Sequence, residues 1–355
     1  MEPFGCYVHV PFCASRCDYC AFATWTDRGH LVDEYLQACR RQVEREVADG
    51  LPPITSVFVG GGTPSLVPPD DLMAVLEPLP LAQGAEVTVE CNPDTVTAEL
   101  LASYAAGGVN RISLGVQSMV PAVLASLGRT HDPDNVRRSV GLVRAAGIER
   151  FNVDLIYGAV GESVADWRTT LEGAVALDPP HVSAYGLTVE AGTALHDDPD
   201  RHPDDDDQAD KYLLATEVLG DAGLEWYEIS NWARPGEACR HNLLYWSQGE
   251  YAAIGCAAHG HREGRRFWNL RTPERYVEAV EEGRNPEAAD ERLDAEERRI
   301  EALQLALRTT DGVPASALPL DRDRALDGLV EVRDERAHLT VAGRLLANEV
   351  AVRLR

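Results

Sequence analysis

Short apolar runs alternate with amphipathic stretches through the first half of the chain. The run Tyr7-Val-His-Val10 opens the series, and residues 30–49 follow with Leu31, Tyr35, Ala38, Cys39 and Val43 at helical spacing among charges. The strand pattern recurs at Ser56-Val-Phe-Val-Gly60, Glu86-Val-Thr-Val-Glu90, Arg111-Ile-Ser-Leu-Gly-Val-Gln117, Phe151-Asn-Val-Asp-Leu-Ile-Tyr157 and His181-Val-Ser-Ala-Tyr-Gly-Leu187. Between these runs, helices are predicted near 69–77, 97–105, 121–127, 134–146 and 163–176. Strands alternating with helices predict parallel βα units joined by right-handed crossovers. The chain before residue 190 is too short for eight units. An α/β fold with a partial, TIM-like six-unit barrel is therefore expected, its chemistry at the C-terminal ends of the strands.

Beyond residue 190 the pattern changes. Seven aspartates fall within 197–207 beside Pro199 and Pro203, and a solvated acidic linker is expected over 190–207. The run lacks the glycine and glutamate spacing of a calcium loop. A helix near 207–222, a strand over 225–231 and a charged helix over 292–308 follow. The chain then reads Leu329-Val-Glu-Val, a turn, Ala337-His-Leu-Thr-Val and a last helical stretch. Helix, hairpin and helix suggest a small C-terminal α/β domain of winged-helix type. The expected division is 1–232 for the barrel, 233–285 for an intervening segment and 286–355 for the terminal domain.

Composition narrows the classes. The 355 residues, 45% of them apolar, suffice for one barrel and a smaller domain. With 58 acidic and 33 basic residues the net charge is −25, which argues against a nucleic-acid partner because phosphate contacts need clustered cations. Lys211 is the single lysine. No stretch reaches the ~20 apolar residues of a membrane span, and no signal peptide is visible. Five cysteines (Cys6, Cys39, Cys91, Cys239, Cys256) are scattered without a framework, so a reducing cytoplasmic location is expected.

The other three cysteines, Cys13, Cys17 and Cys20, lie within eight residues just after the first strand. A loop of that length can aim three sulfurs at one inorganic centre. Soft thiolates suit an iron–sulfur cluster, and three ligands on a four-iron cubane leave one iron open. Zinc is the competing metal, but a structural zinc site wants a fourth ligand, here Cys6, His9 or a distant residue. Gly60-Gly61-Gly62-Thr63 after the second strand would let backbone approach a ligand, or it is only a tight turn. Glu90 and Gln117 close strands. Asp154 sits inside one, where a charge is costly unless paired. His241 and Tyr245 in Arg240-His-Asn-Leu-Leu-Tyr-Trp246 are neighbours if helical. A histidine among aromatic rings can ligate haem iron, or it can be packing.

The cysteine spacing, with Tyr19 before the last cysteine, resembles the cluster loop of radical S-adenosylmethionine (SAM) enzymes. The preceding Tyr7-Val-His-Val-Pro-Phe12 resembles the coproporphyrinogen dehydrogenase-like family. This resemblance implies a [4Fe-4S] cluster on Cys13, Cys17 and Cys20, with exchangeable SAM on the open iron and an electron donor to reduce the cluster. It also implies SAM contacts from Tyr7, Tyr19, Gly61, Gly62, Thr63, Glu90, Gln117, Arg129 and Asp154. His-Asn-x-x-Tyr-Trp and the downstream Tyr251-Ala-Ala-Ile-Gly-Cys-Ala-Ala-His-Gly260 are similar to the haem-chaperone branch, implying haem near His241, Tyr245 and Trp246 and an acceptor protein. No catalytic residue is assigned. Ala21-Phe22 stands where coproporphyrinogen dehydrogenases carry a further cysteine, which favours haem handling. The alternative is an oxidoreductase: oxygen-independent decarboxylation of coproporphyrinogen III in porphyrin biosynthesis.

Overall fold

The computed structural model describes residues 2–355. Six parallel strands form the centre: β1 (Phe4–Val10), β2 (Ile54–Gly61), β3 (Leu81–Cys91), β4 (Arg111–Gln117), β5 (Arg150–Tyr157) and β6 (His181–Gly186), paired in sequence order. The helices between them are α1 (Val32–Ala48), α2 (Pro69–Leu76), α3 (Ala98–Ala106), α4 (Pro121–Ser126), α5 (Pro133–Ala145) and α6 (Val164–Val175). The six-unit partial barrel read from periodicity is thus present.

Side-chain alternation explains why the barrel carries a polar interior. Val8, Val57, Val59, Val87, Val89, Ile112, Leu114, Val153 and Val182 point outward and are buried under the helices. Helix α1 answers with Tyr35, Ala38, Cys39 and Val43. The alternate residues face the lumen: Tyr7 and His9 on β1, Thr88 and Glu90 on β3, Ser113 on β4, Asn152 and Asp154 on β5, Ser183 on β6. The apolar core therefore lies between sheet and helices, and the lumen is left for chemistry.

The sheet does not stop at six strands. After α7 (Asp205–Asp221), the chain forms β7 (Glu225–Glu228) and β8 (Asn231–Ala233), a hairpin that extends the sheet beyond β6. The single strand expected over 225–231 is thus two, because the chain reverses at Ser230, whose N–H donates to Glu228 at 3.1 Å. Past α8 (Arg240–Trp246), β9 (Glu250–Ile254) pairs parallel with β1. Strands β10 (His259–Arg262) and β11 (Arg265–Asn269) continue from it; after α9 (Pro273–Glu281), β12 (Glu287–Arg292) completes twelve strands. The large sheet therefore runs past the boundary expected at residue 286.

The terminal unit has its own core of Leu307, Val313, Leu326, Ala337, Leu339 and Val350. It consists of α10 (Ala295–Ala306), the three-stranded sheet of β13 (Val313–Pro314), β14 (Val330–Arg333) and β15 (Arg336–Leu339), and two short helices, α11 (Val341–Leu345) and α12 (Ala347–Ala351). Asp294 and Glu297 close a capping box at the start of α10.

The acidic stretch 190–207 is more than a solvated linker. Asp204 caps α7 and the next three aspartates fill its first turn, where negative charge suits the helix dipole. Upstream, the chain crosses the cysteine loop: Leu195 N–H donates to the Asp18 carbonyl at 2.9 Å, and Arg201 pairs with Asp18 at 2.8 Å. No helix among the described residues is long and apolar enough to cross a membrane.

Candidate functional site: a three-cysteine loop over a polar barrel mouth

The cysteine loop leaves β1 and is closed at its base by backbone bonds from Trp25 N–H to Pro11 and from Cys13 N–H to Trp25, at 2.8 and 3.1 Å. Cys13, Cys17 and Cys20 are partly exposed, whereas the other five cysteines are buried. Burial first, then their neighbours' charge, raises the Cys13 and Cys20 thiols. Cys13 and Cys20 thus resist ionisation, and a cationic centre would be needed to hold them as thiolates. Thr63 Oγ1 donates to Cys13 Sγ at 3.6 Å and Arg129 Nη1 to Cys17 Sγ at 3.4 Å, so donors stand ready for anionic sulfur.

The donor set fits a cluster better than a single ion. Among the described residues, no three His, Cys, Asp or Glu side chains gather tightly enough to hold one ion. A cubane places each thiolate on its own iron and asks for a wider triangle. The residues that would complete a zinc site are committed elsewhere. Cys6 points to the opposite face of β1, fully buried. His9 is held by Tyr7 Oη at 3.0 Å and the Ala23 carbonyl at 2.9 Å.

The glycine run meets this loop. Gly61 has φ +111°, and a Cβ there would fall 2.4 Å from the His9 ring. At Gly62 a Cβ would lie 2.7 Å from the Phe12 carbonyl and 3.0 Å from Cys13 Sγ. Only glycine fits between strand and cluster loop. Gly61 N–H donates to Glu90 at 3.1 Å. Burial, then the charge of Asp154, pushes Glu90 up to about 8 despite that bond. Asp154 accepts from Ser113 and Asn152, each at 2.7 Å, so the mid-strand charge is paired inside the lumen. Gln117 adopts φ +63°, a left-handed residue that ends β4 at the same rim. Arg129 also donates to the Gly115 carbonyl at 3.2 Å, and Tyr19 packs against Leu127, Leu187 and Leu195. The residues expected around SAM thus lie at the C-terminal rim of the strands or on the loops above it, except Tyr7 and Asp154, which face the lumen from within β1 and β5.

The second expected cluster is different. His241 is fully buried, with Nδ1 at 3.0 Å from Ser56 Oγ and Nε2 at 2.9 Å from Tyr245 Oη. Its ring stacks on Phe58, and burial lowers its pKa to about 3. Neither nitrogen has a lone pair open to an iron, so the expectation that His241 is a haem ligand does not match this geometry. The i,i+4 relation with Tyr245 is real, and the histidine spends it on a hydrogen bond. Tyr245 itself reaches the surface, while Trp246 is half-buried near Glu228.

Sequence reasoning missed the supporting polar residues. Asn152 joins Asp154, Ser113 and Ser183, and His181 connects it to Tyr227. At the other end of the lumen, Glu86 is enclosed by Arg111 and Arg150, closing the barrel floor. Strand alternation of polar residues on β4, β5 and β6 carried that signal.

Fold and site together define a radical SAM protein, and the Radical SAM superfamily profile matches residues 7–174. Such a protein carries a [4Fe-4S] cluster and SAM. The structure is similar to that of coproporphyrinogen III oxidase HemN from Escherichia coli, with a TM-score of 0.86 at 23% identity over 99% of this chain and 89% of that one. Within the superfamily, the chain belongs to the HemW heme chaperone family. It is 41% identical to "Heme chaperone HemW" of Mycobacterium tuberculosis over 98% of this chain and 94% of the relative. The relative of the same name from Escherichia coli K12 is 37% identical over 87% and 85%.

Proposed function

We propose that this protein is a haem chaperone that binds haem and passes it to an acceptor protein. Near full-length similarity to proteins named for that task carries the reading. The likeness to coproporphyrinogen III oxidase speaks for the fold, and Ala21-Phe22 speaks against decarboxylation. Cys13, Cys17 and Cys20 would hold the cluster, which supplies an open iron for the amino and carboxylate groups of SAM. Gly61, Gly62 and Thr63 would shape the methionine end. Glu90, Gln117, Arg129 and Asp154 would orient the remainder, with Tyr7 and Tyr19 closing the sides. An electron donor for the cluster and a cytoplasmic location belong to the same reading. Tyr245 and Trp246 would form part of the wall against which the tetrapyrrole rests.

The test is an anaerobic titration of the reconstituted full chain with ferric haem, with and without SAM. A saturable Soret band at one haem per chain, followed by transfer to an apo-haem protein, is the expected result. Protoporphyrinogen formed from coproporphyrinogen III would overturn it. Cys17→Ala should lose the brown chromophore, and Cys39→Ser should keep it.

A further inference from the structure

Every chaperone of an iron porphyrin must solve a coordination problem, and here the expected ligand is closed. The ten histidines can be sorted by what their ring nitrogens do. His9, His181 and His241 have both nitrogens engaged inside the protein. His131, His196, His202 and His261 have one engaged. Among the described residues, only His30, His259 and His338 have no hydrogen-bond partner at either nitrogen. His30 belongs to the turn leading into α1, and His338 lies in the small terminal sheet. Neither belongs to the large sheet.

His259 does. It opens β10, and its sheet face follows from register. His261, two residues on, pairs with Tyr251; Tyr251 pairs with Gly5 on β1; and Gly5 shares a face with Tyr7 and His9. His259 is therefore on the inner face, beside the lumen. It is near enough to His9 that its charge contributes to the lowering of His9, after burial. His9 in turn holds the Ala23 carbonyl of the cysteine loop, so His259 stands at the cluster end of the barrel.

The imidazole is also braced. His259 stacks on Trp268, its cross-strand partner on β11, with centroids 5.7 Å apart and planes at 27°. A flat wall fixes the ring plane without using a nitrogen. Partial burial lowers its pKa, which leaves the neutral, coordinating form dominant at neutral pH. An exposed histidine, braced by Trp268 and unpartnered at the barrel mouth, has the donor chemistry of an axial site.

We infer that His259, backed by Trp268, is the axial ligand to the iron of the bound tetrapyrrole. This rests on the haem-chaperone reading. His241, closed by Ser56 and Tyr245 and stacked on Phe58, is left a packing role near the start of β2.

The test uses the reconstituted full-length protein, titrated anaerobically with ferric protoporphyrin IX and, in parallel, with iron-free protoporphyrin IX. His259→Ala should weaken ferric haem binding about tenfold or more, a loss of ~1.4 kcal/mol, and abolish the histidine-ligated electron paramagnetic resonance signal. Affinity for the iron-free ring should change less than about twofold, since that ring needs no ligand. Added imidazole should restore the signal in His259→Ala, and His259→Gln should behave as His259→Ala does. His261→Ala is the control for the neighbouring ring and should bind as wild type. An unchanged spectrum in His259→Ala, or loss in His261→Ala instead, would overturn the assignment. Failure of the wild-type protein to bind haem would overturn the chaperone reading itself, a distinguishable result.

Discussion

A carboxyl beside a glycine amide sets the titration behaviour of this site. Glu90 is lifted to about 8 in the folded protein by burial and by Asp154, against an ordinary value of 4.5. The folded state keeps this proton while the unfolded chain releases it, so rising pH favours unfolding between those two values and adds nothing above them. Ligand-free protein should lose thermal stability as pH goes from about 5 to 8. Glu90→Gln should be less sensitive across that range and should melt above wild type at pH 8. Equal slopes in the two proteins would show that another group controls the dependence. Residue chemistry also separates the two expected clusters. Asp154 looked costly on its strand and proved to be paired by Ser113 and Asn152, whereas His241 looked open and proved closed by Ser56 and Tyr245.

Among the elements, α7 shows how a charge run can be structural. Lys211 on its second turn is fully buried and donates to the Glu162 carbonyl at 2.7 Å and to Asp207 at 2.6 Å, with the Glu162 carboxylate at 3.2 Å. This pins α7 to the loop that leads into α6. Removing one partner of a buried pair strands the other charge. Lys211→Ala should therefore cost ~3–5 kcal/mol in denaturant melts. The double change Lys211→Met with Glu162→Leu should recover part of that loss, and a neutral Lys211→Ala would show the pair to be solvated. Elements were the most readable level of this chain. Helices α1, α3 and α6 and strands β1 to β6 lie where periodicity places them, to within a few residues. Strands β9 to β11 escaped the reading because each spans only four or five residues, and β12 because its mostly exposed residues Glu287–Arg292 carry no alternation.

The whole molecule carries a net charge of −25 at pH 7. Many of its ion pairs are exposed and contribute little. Self-repulsion then dominates the response to salt, since screening acts on the net charge over ~10 Å at 0.1 M. Raising sodium chloride from 0.05 to 0.5 M should raise the melting temperature by a few degrees, ~1 kcal/mol of added stability in a chain this size. A fall would mean that attractive pairs outweigh the repulsion. At this scale the acidic stretch 190–207 also finds its place, part helix cap and part strap across the cysteine loop through Arg201 and Asp18.

Local order along the chain determined the barrel strands, their helices and the three-thiol loop, because each depends on spacing within a few residues. The rim residues around the glycine run were legible through resemblance to a family whose motifs they match. Only the tertiary structure decided which polar side chains have partners, since a hydrogen bond such as Ser56 to His241 joins residues 185 positions apart. It likewise decided that β9 to β12 continue the barrel's sheet, leaving His259 with both nitrogens free on the inner face. Partnering depends on distance in space, which a pattern of apolar and polar positions does not record.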